Sequence, residues 1–166
     1  MTEIATDRLQ IRNFRADDWG ALYEMIRQYK ASGLEAYDHE WPAAQEEYPK
    51  IAQWFASGDT YWAVCLKQGG RFIGFVCLNP EQREGRQEYN LGYIFNFDYH
   101  GKGYATEACG AVLSHAFEHL GADAVVTGTA AANEASCRLL ARLGLRLADR
   151  STGMYALSRE EWQQAR

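Results

Sequence analysis

No uninterrupted apolar run in the 166 residues approaches the roughly 20 needed to cross a bilayer. The opening Met1-Thr2-Glu3-Ile4 has no basic segment leading into an apolar one, so a soluble, cytoplasmic protein without a membrane partner is expected. Proline is scarce, at three residues, and there is no low-complexity tract or internal repeat, which makes residues 1–166 most economically a single domain. Basic residues are not in excess: the net charge of -5 argues against a direct nucleic-acid partner and mildly favours a cationic substrate. Cysteine is sparse as well. Cys65, Cys77, Cys109 and Cys137 have no paired metal-ligand spacing, so all four read as buried free thiols and no metal is expected. What is abundant is apolar and aromatic surface. At 47% apolar, with five Trp and ten Tyr, the chain has the means to bury a core and does not read as disordered.

The stretch from Phe97 to Ala108 stands apart. Gly101-Lys102-Gly103 lies between Tyr89-Asn90-Leu91-Gly92-Tyr93-Ile94-Phe95, rich in strand formers, and a helical pattern in which Ala105, Ala108, Val112 and Ala116 recur up to Leu120-Gly121. Strand, glycine turn and helix thus follow one another. Glycine lets the main chain approach a ligand closely, and the first N–H groups of a helix have no intrahelical acceptor. Such a turn reads as an anion cradle that fits a phosphate.

The other elements follow in order. Arg8-Leu9-Gln10-Ile11-Arg12 alternates as a half-buried strand. Asp17 or Asp18 offers an N-cap to a helix carrying Trp19, Leu22, Tyr23, Ile26 and Tyr29, which ends near Ser32-Gly33. Leu34 to Pro42 reads as an irregular loop, followed by a helix over Ala43–Ser57 with Tyr48, Ile51, Trp54 and Phe55 inward and Pro49 shifting its start or kinking it. Tyr61–Leu66 and Phe72–Leu78 form a hairpin, and polar Asn79–Gln87 is expected to be the turn into the next strand. Beyond the long helix come a strand at Ala124–Thr129, reached by a parallel crossover, and a helix from Asn133 or Ser136 ending at Gly144. Closing strands at Leu145–Leu147 and Met154–Leu157 precede a helix started by the capping box Ser158-Arg159-Glu160-Glu161.

In these segments the chain resembles the GNAT acetyltransferases, and within them the Rim-type ribosomal-protein N-terminal acetyltransferases. Thr6-Asp7-Arg8-Leu9-Gln10-Ile11-Arg12 is similar to that branch's start, and Leu91-Gly92-Tyr93 with Gly101–Ala108 to its acetyl-CoA motif. Asn133-Glu134-Ala135-Ser136 with Leu139–Leu145 is similar to its next motif, and Tyr155–Trp162 to its ending. The resemblance implies an α/β (α+β) fold with a mixed, mostly antiparallel central sheet of about seven strands, flanked by helices and splayed at the acetyl-CoA site. It further implies that Tyr93, Ile94 and Phe95 offer main-chain groups to pantetheine and the thioester. His100, Gly101, Lys102, Gly103, Tyr104, Ala105 and Thr106 would hold pyrophosphate; Asn133 would bond the pantetheine arm, and Ser136 and Arg142 would also meet the cofactor. Three positions depart from the family pattern. His100 stands where Gln or Arg is usual, Asn90 where many relatives have Glu, and Leu140 where many GNAT proteins have a proton-donating Tyr.

Acetylating an amine requires a neutral amine, a stabilised oxyanion and a protonated leaving thiol. Glu88, two residues from Asn90 and on the same strand face, is the candidate base, acting directly or through a water, with an exposed strand carboxylate the alternative. Ser136 and Tyr155 are candidate proton donors, with a helix cap the alternative for Ser136 and a core position that for Tyr155. Glu35, Asp38 and Glu40, together with Asn90, are candidate contacts for the acceptor, a protein N-terminus or a cationic small molecule; the alternative for the loop carboxylates is a solvated connection. His39 and His115 receive no role. A monomer and a homodimer are both compatible with the chain. An active enzyme and a catalytically idle acyl-CoA-binding domain remain the two readings.

Overall fold

Period-two alternation at the start of the chain takes effect as expected: Leu9 and Ile11 are fully buried on one face of a strand, with Gln10 and Arg12 on the other. The computed structural model describes residues 2–38 and 40–166, apart from the side chain of Tyr37; His39 lies outside the described residues. The elements in order are β1 (Ile4–Ala5), β2 (Leu9–Asn13), α1 (Trp19–Ser32), α2 (Tyr48–Ser57), β3 (Tyr61–Leu66), β4 (Phe72–Arg83) and β5 (Arg86–Phe95). They continue with α3 (Tyr104–Glu118), β6 (Ala124–Gly128), α4 (Glu134–Arg142), β7 (Arg146–Asp149), β8 (Met154–Ser158) and α5 (Arg159–Gln164). The eight strands are ordered β1-β2-β3-β4-β5-β6-β8-β7. β5 and β6 pair in parallel through Glu88–Ala124, Tyr89–Val125 and Asn90–Val126, whereas β1–β2, β2–β3, β3–β4, β6–β8 and β7–β8 are antiparallel. This is the mixed, mostly antiparallel sheet of the expected class. The strand beyond the expected seven is β1, whose two residues are too few to show a period.

By internal contacts the chain forms two units, Met1–Cys77 with Tyr93–Ala108, and Leu78–Gly92 with Cys109–Arg166. In the first, alternate residues Ala63 and Cys65 of β3 and Phe75 and Cys77 of β4 join Leu22, Met25 and Ile26 of α1, and Tyr48 and Phe55 of α2, in one core. Phe14 centres it, meeting Phe55 edge-on at 5.2 Å and Phe72 at 5.7 Å. Asp18 heads α1 by a route that capping rules do not give. Its carboxylate takes both arms of the Arg12 guanidinium at 2.9 Å and the Arg15 N–H at 2.8 Å, and both side chains are largely buried. Asp18→Asn strands the Arg12 charge, so we expect a stability loss of about 3 kcal/mol in urea unfolding. A loss below about 0.5 kcal/mol would mean the pair is solvated.

Three local expectations are corrected. The second helix starts at Tyr48, after a single 3-10 turn at Gln45–Glu47, with Pro49 in its first turn where no N–H is missed, so there is no kink. Trp54 is 65% exposed on its outer face, not inward. Asn79–Gln87 is not one long turn: β4 runs on to Arg83, and only Glu84 and Gly85, at φ 52° and 78°, make the reversal.

In the second unit, Val125 and Leu157 of the sheet and Leu139 and Leu140 of α4 are buried. Phe117 stacks on Trp162 at 5.1 Å, and Arg159 donates to the carbonyls of Phe117 and Ala122 at 3.0 and 2.6 Å, closing the end of α3. Ser158 and Glu161 form the expected capping box. Three cysteines are buried free thiols, but Cys137 is only partly buried.

Candidate active site

The cradle belongs to the first unit and is built by the chain that leaves β5. At Asn96 the strand ends because its side chain turns back to accept the Asp98 N–H at 2.9 Å, while Gln28 of α1 accepts the Phe97 N–H at 2.9 Å. The His100 ring stacks on Phe97 at 4.4 Å and bonds through Nε2 to the Phe95 carbonyl at 2.9 Å. His100 therefore shapes the loop, and in this position it donates to protein rather than offering that nitrogen to an anion. Gly101 and Gly103 have φ of +76° and +82°, which L side chains rarely adopt. A Cβ at Gly101 would meet nothing within 4 Å, so the space in front of the turn is open. The first backbone bond of α3 runs from Glu107 N to Gly103 O at 3.0 Å, and the amides before it are the donors a helix start offers to a ligand.

Charge favours an anion here. Besides the positive end of α3, Lys102 lies over the Tyr99 ring at 5.4 Å, Arg71 over the same ring at 5.6 Å, and Arg8 over Tyr104 at 4.2 Å. Burial acts to raise the Glu107 pKa, but hydrogen bonds from the Thr6 hydroxyl and from the Arg8 amide and guanidinium outweigh it and hold the carboxyl below its ordinary value. The stability this carboxylate confers is accordingly present above its ordinary pKa and lost as the pH falls through the lowered one. Open space, positive-φ glycines, amides and cations together fit a pyrophosphate group.

The loop after α1 is tied to the adjacent residues of that helix. Lys30 reaches Glu35 at 2.8 Å, and Glu35 also accepts the Trp41 N–H at 2.8 Å. The Tyr29 hydroxyl donates to Asp38 at 3.1 Å, and burial beside that carboxylate pushes its own pKa up. Glu40 is exposed. Residues 28, 29 and 30 thus hold both the lead-in to the cradle and two of the three loop carboxylates.

In the second unit, α4 brings Asn133, Ser136 and Cys137 to one end. Asn133 caps the helix, its side-chain oxygen accepting the Ser136 N–H at 3.3 Å. The Cys137 thiol donates to Ala130 O at 3.7 Å and meets the hydroxyl of Tyr155, whose pKa is raised first by that hydrogen bond and then by burial. Tyr155 is registered opposite Thr127 of β6, whose hydroxyl donates to the Leu91 carbonyl at 2.7 Å. Arg142 is exposed in the last turn of α4. Glu88, 7% exposed on β5, is flanked by Arg83 at 3.4 Å and Arg86 at 3.9 Å, and Asn90 donates to Glu81 at 3.5 Å. The placing of Cys137 beside Tyr155 and of Arg8 beside the cradle is not legible in the sequence. Their partners are distant along the chain and follow no period. Among the described residues no cluster of three or more His, Cys, Asp or Glu is placed to hold a metal ion, and no helix is long and apolar enough to cross a membrane.

The mixed sheet, with a glycine turn between β5 and α3, is the fold expected of the acetyltransferase class. The chain belongs to the GNAT acetyltransferases: the family description "Acetyltransferase (GNAT) domain" fits residues 8–146, and the protein is an acetyltransferase. The GNAT family uses acetyl-CoA. The "Uncharacterized N-acetyltransferase YnaD" of Bacillus subtilis (strain 168) is 30% identical over 145 residues, covering 86% of this chain and 82% of that protein. The fold is shared with the GNAT-family acetyltransferase from Bacillus anthracis, with a TM-score of 0.82, 23% identity, and coverage of 96% of this chain and 99% of that one. It is also shared with a Rim-type enzyme, Mycobacterium smegmatis RimJ in complex with CoA-disulfide, with a TM-score of 0.74, 20% identity, and coverage of 92% of this chain and 83% of that one.

Proposed function

We propose that this acetyltransferase moves the acetyl group of acetyl-CoA directly to a primary amine, either a protein N-terminus or a cationic small molecule. The observation that carries this reading is the cradle at the head of α3, with its open glycine turn and flanking cations. Bound acetyl-CoA supplies the activated acyl group. The amides of Gly101, Lys102 and Gly103 and the first turn of α3, Tyr104 to Thr106, hold the pyrophosphate, with His100 fixing the turn from behind. Main-chain groups of Tyr93, Ile94 and Phe95 would orient pantetheine and offer donors to the acyl oxygen. Asn133, whose cap uses only its oxygen, offers its amide to the pantetheine arm, and Arg142 pairs with phosphate.

Glu88 would take the amine proton through a water, and Ser136 or Tyr155 would supply a proton to the cofactor's sulfur. The Tyr155 hydroxyl, protonated near neutral pH as tyrosine ordinarily is, lies beside the Cys137 thiol. Burial and two flanking guanidiniums keep the Glu88 carboxylate in place. An α-amine, with an ordinary pKa near 8 against about 10.4 for lysine, asks less of that base. Acceptor charge is read by the loop: Glu40 is exposed, Asp38 is offered by Tyr29, and Asn90 adds a polar contact.

Glu88→Gln should lower kcat roughly 100-fold near neutral pH with acetyl-CoA affinity unchanged. Wild-type turnover in that variant would remove Glu88 as the base. The function itself is tested by following CoA release with a panel of N-terminal peptides, polyamines and other small amines. Acceptor-dependent release is expected. Tight acetyl-CoA binding with no release across the panel would instead make the domain an acyl-CoA sensor or scaffold.

A further inference from the structure

We propose that Arg8 and Glu107, assisted by Thr6, are positioning residues that preset the cradle, so that the Gly103 amide already points at the pyrophosphate before acetyl-CoA arrives. The inference rests on the reading that Gly101–Gly103 hold pyrophosphate, and goes beyond it in assigning a role to a segment almost one hundred residues away in the chain.

The geometry centres on one arginine. Arg8 donates through Nε to Glu107 Oε1 at 2.7 Å and through Nη1 to the carbonyl of Lys102 at 3.0 Å. Its guanidinium covers the Tyr104 ring at 4.2 Å, and a Cβ placed on Gly103 would lie 3.4 Å from Nη2. A single side chain therefore contacts residues 102, 104 and 107 and lies beside Gly103, spanning the end of the loop and the first turn of α3. Glu107 is anchored in turn. Its Oε2 accepts the Thr6 hydroxyl at 2.5 Å and the Arg8 amide at 2.9 Å.

Peptide planarity makes this contact functional. The Lys102 carbonyl and the Gly103 N–H belong to one trans-planar unit and point in opposite directions. An arginine that holds the carbonyl on one side therefore aims the amide to the other, away from itself and into the turn. Without that restraint, the two glycines flanking Lys102 let the 102–103 peptide rotate, because glycine has more conformational freedom to lose than any other residue. Arg8 also balances a carboxylate that would otherwise stand in the first turn beside a bound anion. Exposure of the arginine does not weaken the geometric role, because its neighbours on the loop are fixed by donor direction and not by charge alone.

The test compares Arg8→Met, Glu107→Gln and the double variant with wild type, using NMR titration with two probes, CoA and pantetheine, the fragment that lacks the pyrophosphate. Ordering one loosened residue is worth roughly tenfold in affinity. CoA should thus bind about tenfold more weakly to each single variant, while pantetheine affinity stays at the wild-type level. The double variant should lose no more than either single one, because the two side chains act as one device. Arg8→Lys keeps the charge but lacks the fork, so it should retain wild-type melting and still lose CoA affinity. Unchanged CoA binding in folded Arg8→Lys and Arg8→Met, or an equal loss for pantetheine, overturns the proposal. A wild-type protein that binds CoA no better than pantetheine fails at an earlier point: it removes the pyrophosphate assignment itself.

Discussion

Gly103→Val should leave a folded protein that no longer binds acetyl-CoA measurably, a loss of more than about 100-fold by calorimetry. Two effects add. Gly103 sits at φ +82°, where a residue with a Cβ is disfavoured by roughly 1–2 kcal/mol and a β-branched one by more, so the turn relaxes away from its present shape. The valine methyl groups also stand beside the amides that are to face the phosphates. Fold is spared because the position is exposed and the one atom an added Cβ would meet, Arg8 Nη2 at 3.4 Å, is the end of a flexible side chain. Circular dichroism should match wild type. A folded Gly103→Val protein with intact acetyl-CoA affinity would show that the cradle lies elsewhere.

Gly74→Ala should act in the opposite way, through stability. Gly74 lies in β4, and a Cβ there would come within 2.5 Å of Phe95 Cδ1 and 2.7 Å of the Ile94 carbonyl oxygen. The phenylalanine ring can turn, but the carbonyl belongs to β5 and cannot step aside without moving the strand. Overpacking of this kind costs roughly 1–3 kcal/mol, and a backbone obstacle places it at the upper end. For a chain of this length the melting temperature should fall by about 6–10 °C. The same displacement moves the main chain of Ile94 and Phe95, so the surviving folded fraction should also have a lower kcat/KM. Wild-type melting in Gly74→Ala would mean that β4 and β5 do not approach as closely as described.

The contrast between these glycines shows what the sequence reveals by itself. Gly101 and Gly103 are legible because they interrupt a strand-to-helix transition, and the chemistry of helix starts gives such a turn its meaning. Asn133, Gly144 and Ser158 are legible for the same local reason, since each completes a cap within a few residues of itself. Gly74 reads only as a small residue in an apolar strand; the need for it comes from Ile94 and Phe95, which no local pattern connects to it. Thr6, Arg8 and Glu107 present the same difficulty at greater separation. Each belongs to a recognisable segment, but the carboxylate that joins them is 101 and 99 residues from its partners. The exposure of Trp54 is not legible, because helical spacing alone does not decide which edge of an apolar stripe is covered. Glu35 and Asp38 read as carboxylates in a loop, whereas their partners Lys30 and Tyr29 read as ordinary members of a helix.

The amides of Gly101, Lys102 and Gly103 are the atoms on which the acetyl-CoA assignment turns, and they can be watched directly. Backbone-amide NMR of the labelled protein should show the largest shifts at residues 101–106 when acetyl-CoA is added. Pyrophosphate-bearing CoA should reproduce those shifts and pantetheine should not. Saturable binding that leaves 101–106 unchanged, with its largest shifts elsewhere, would contradict the account.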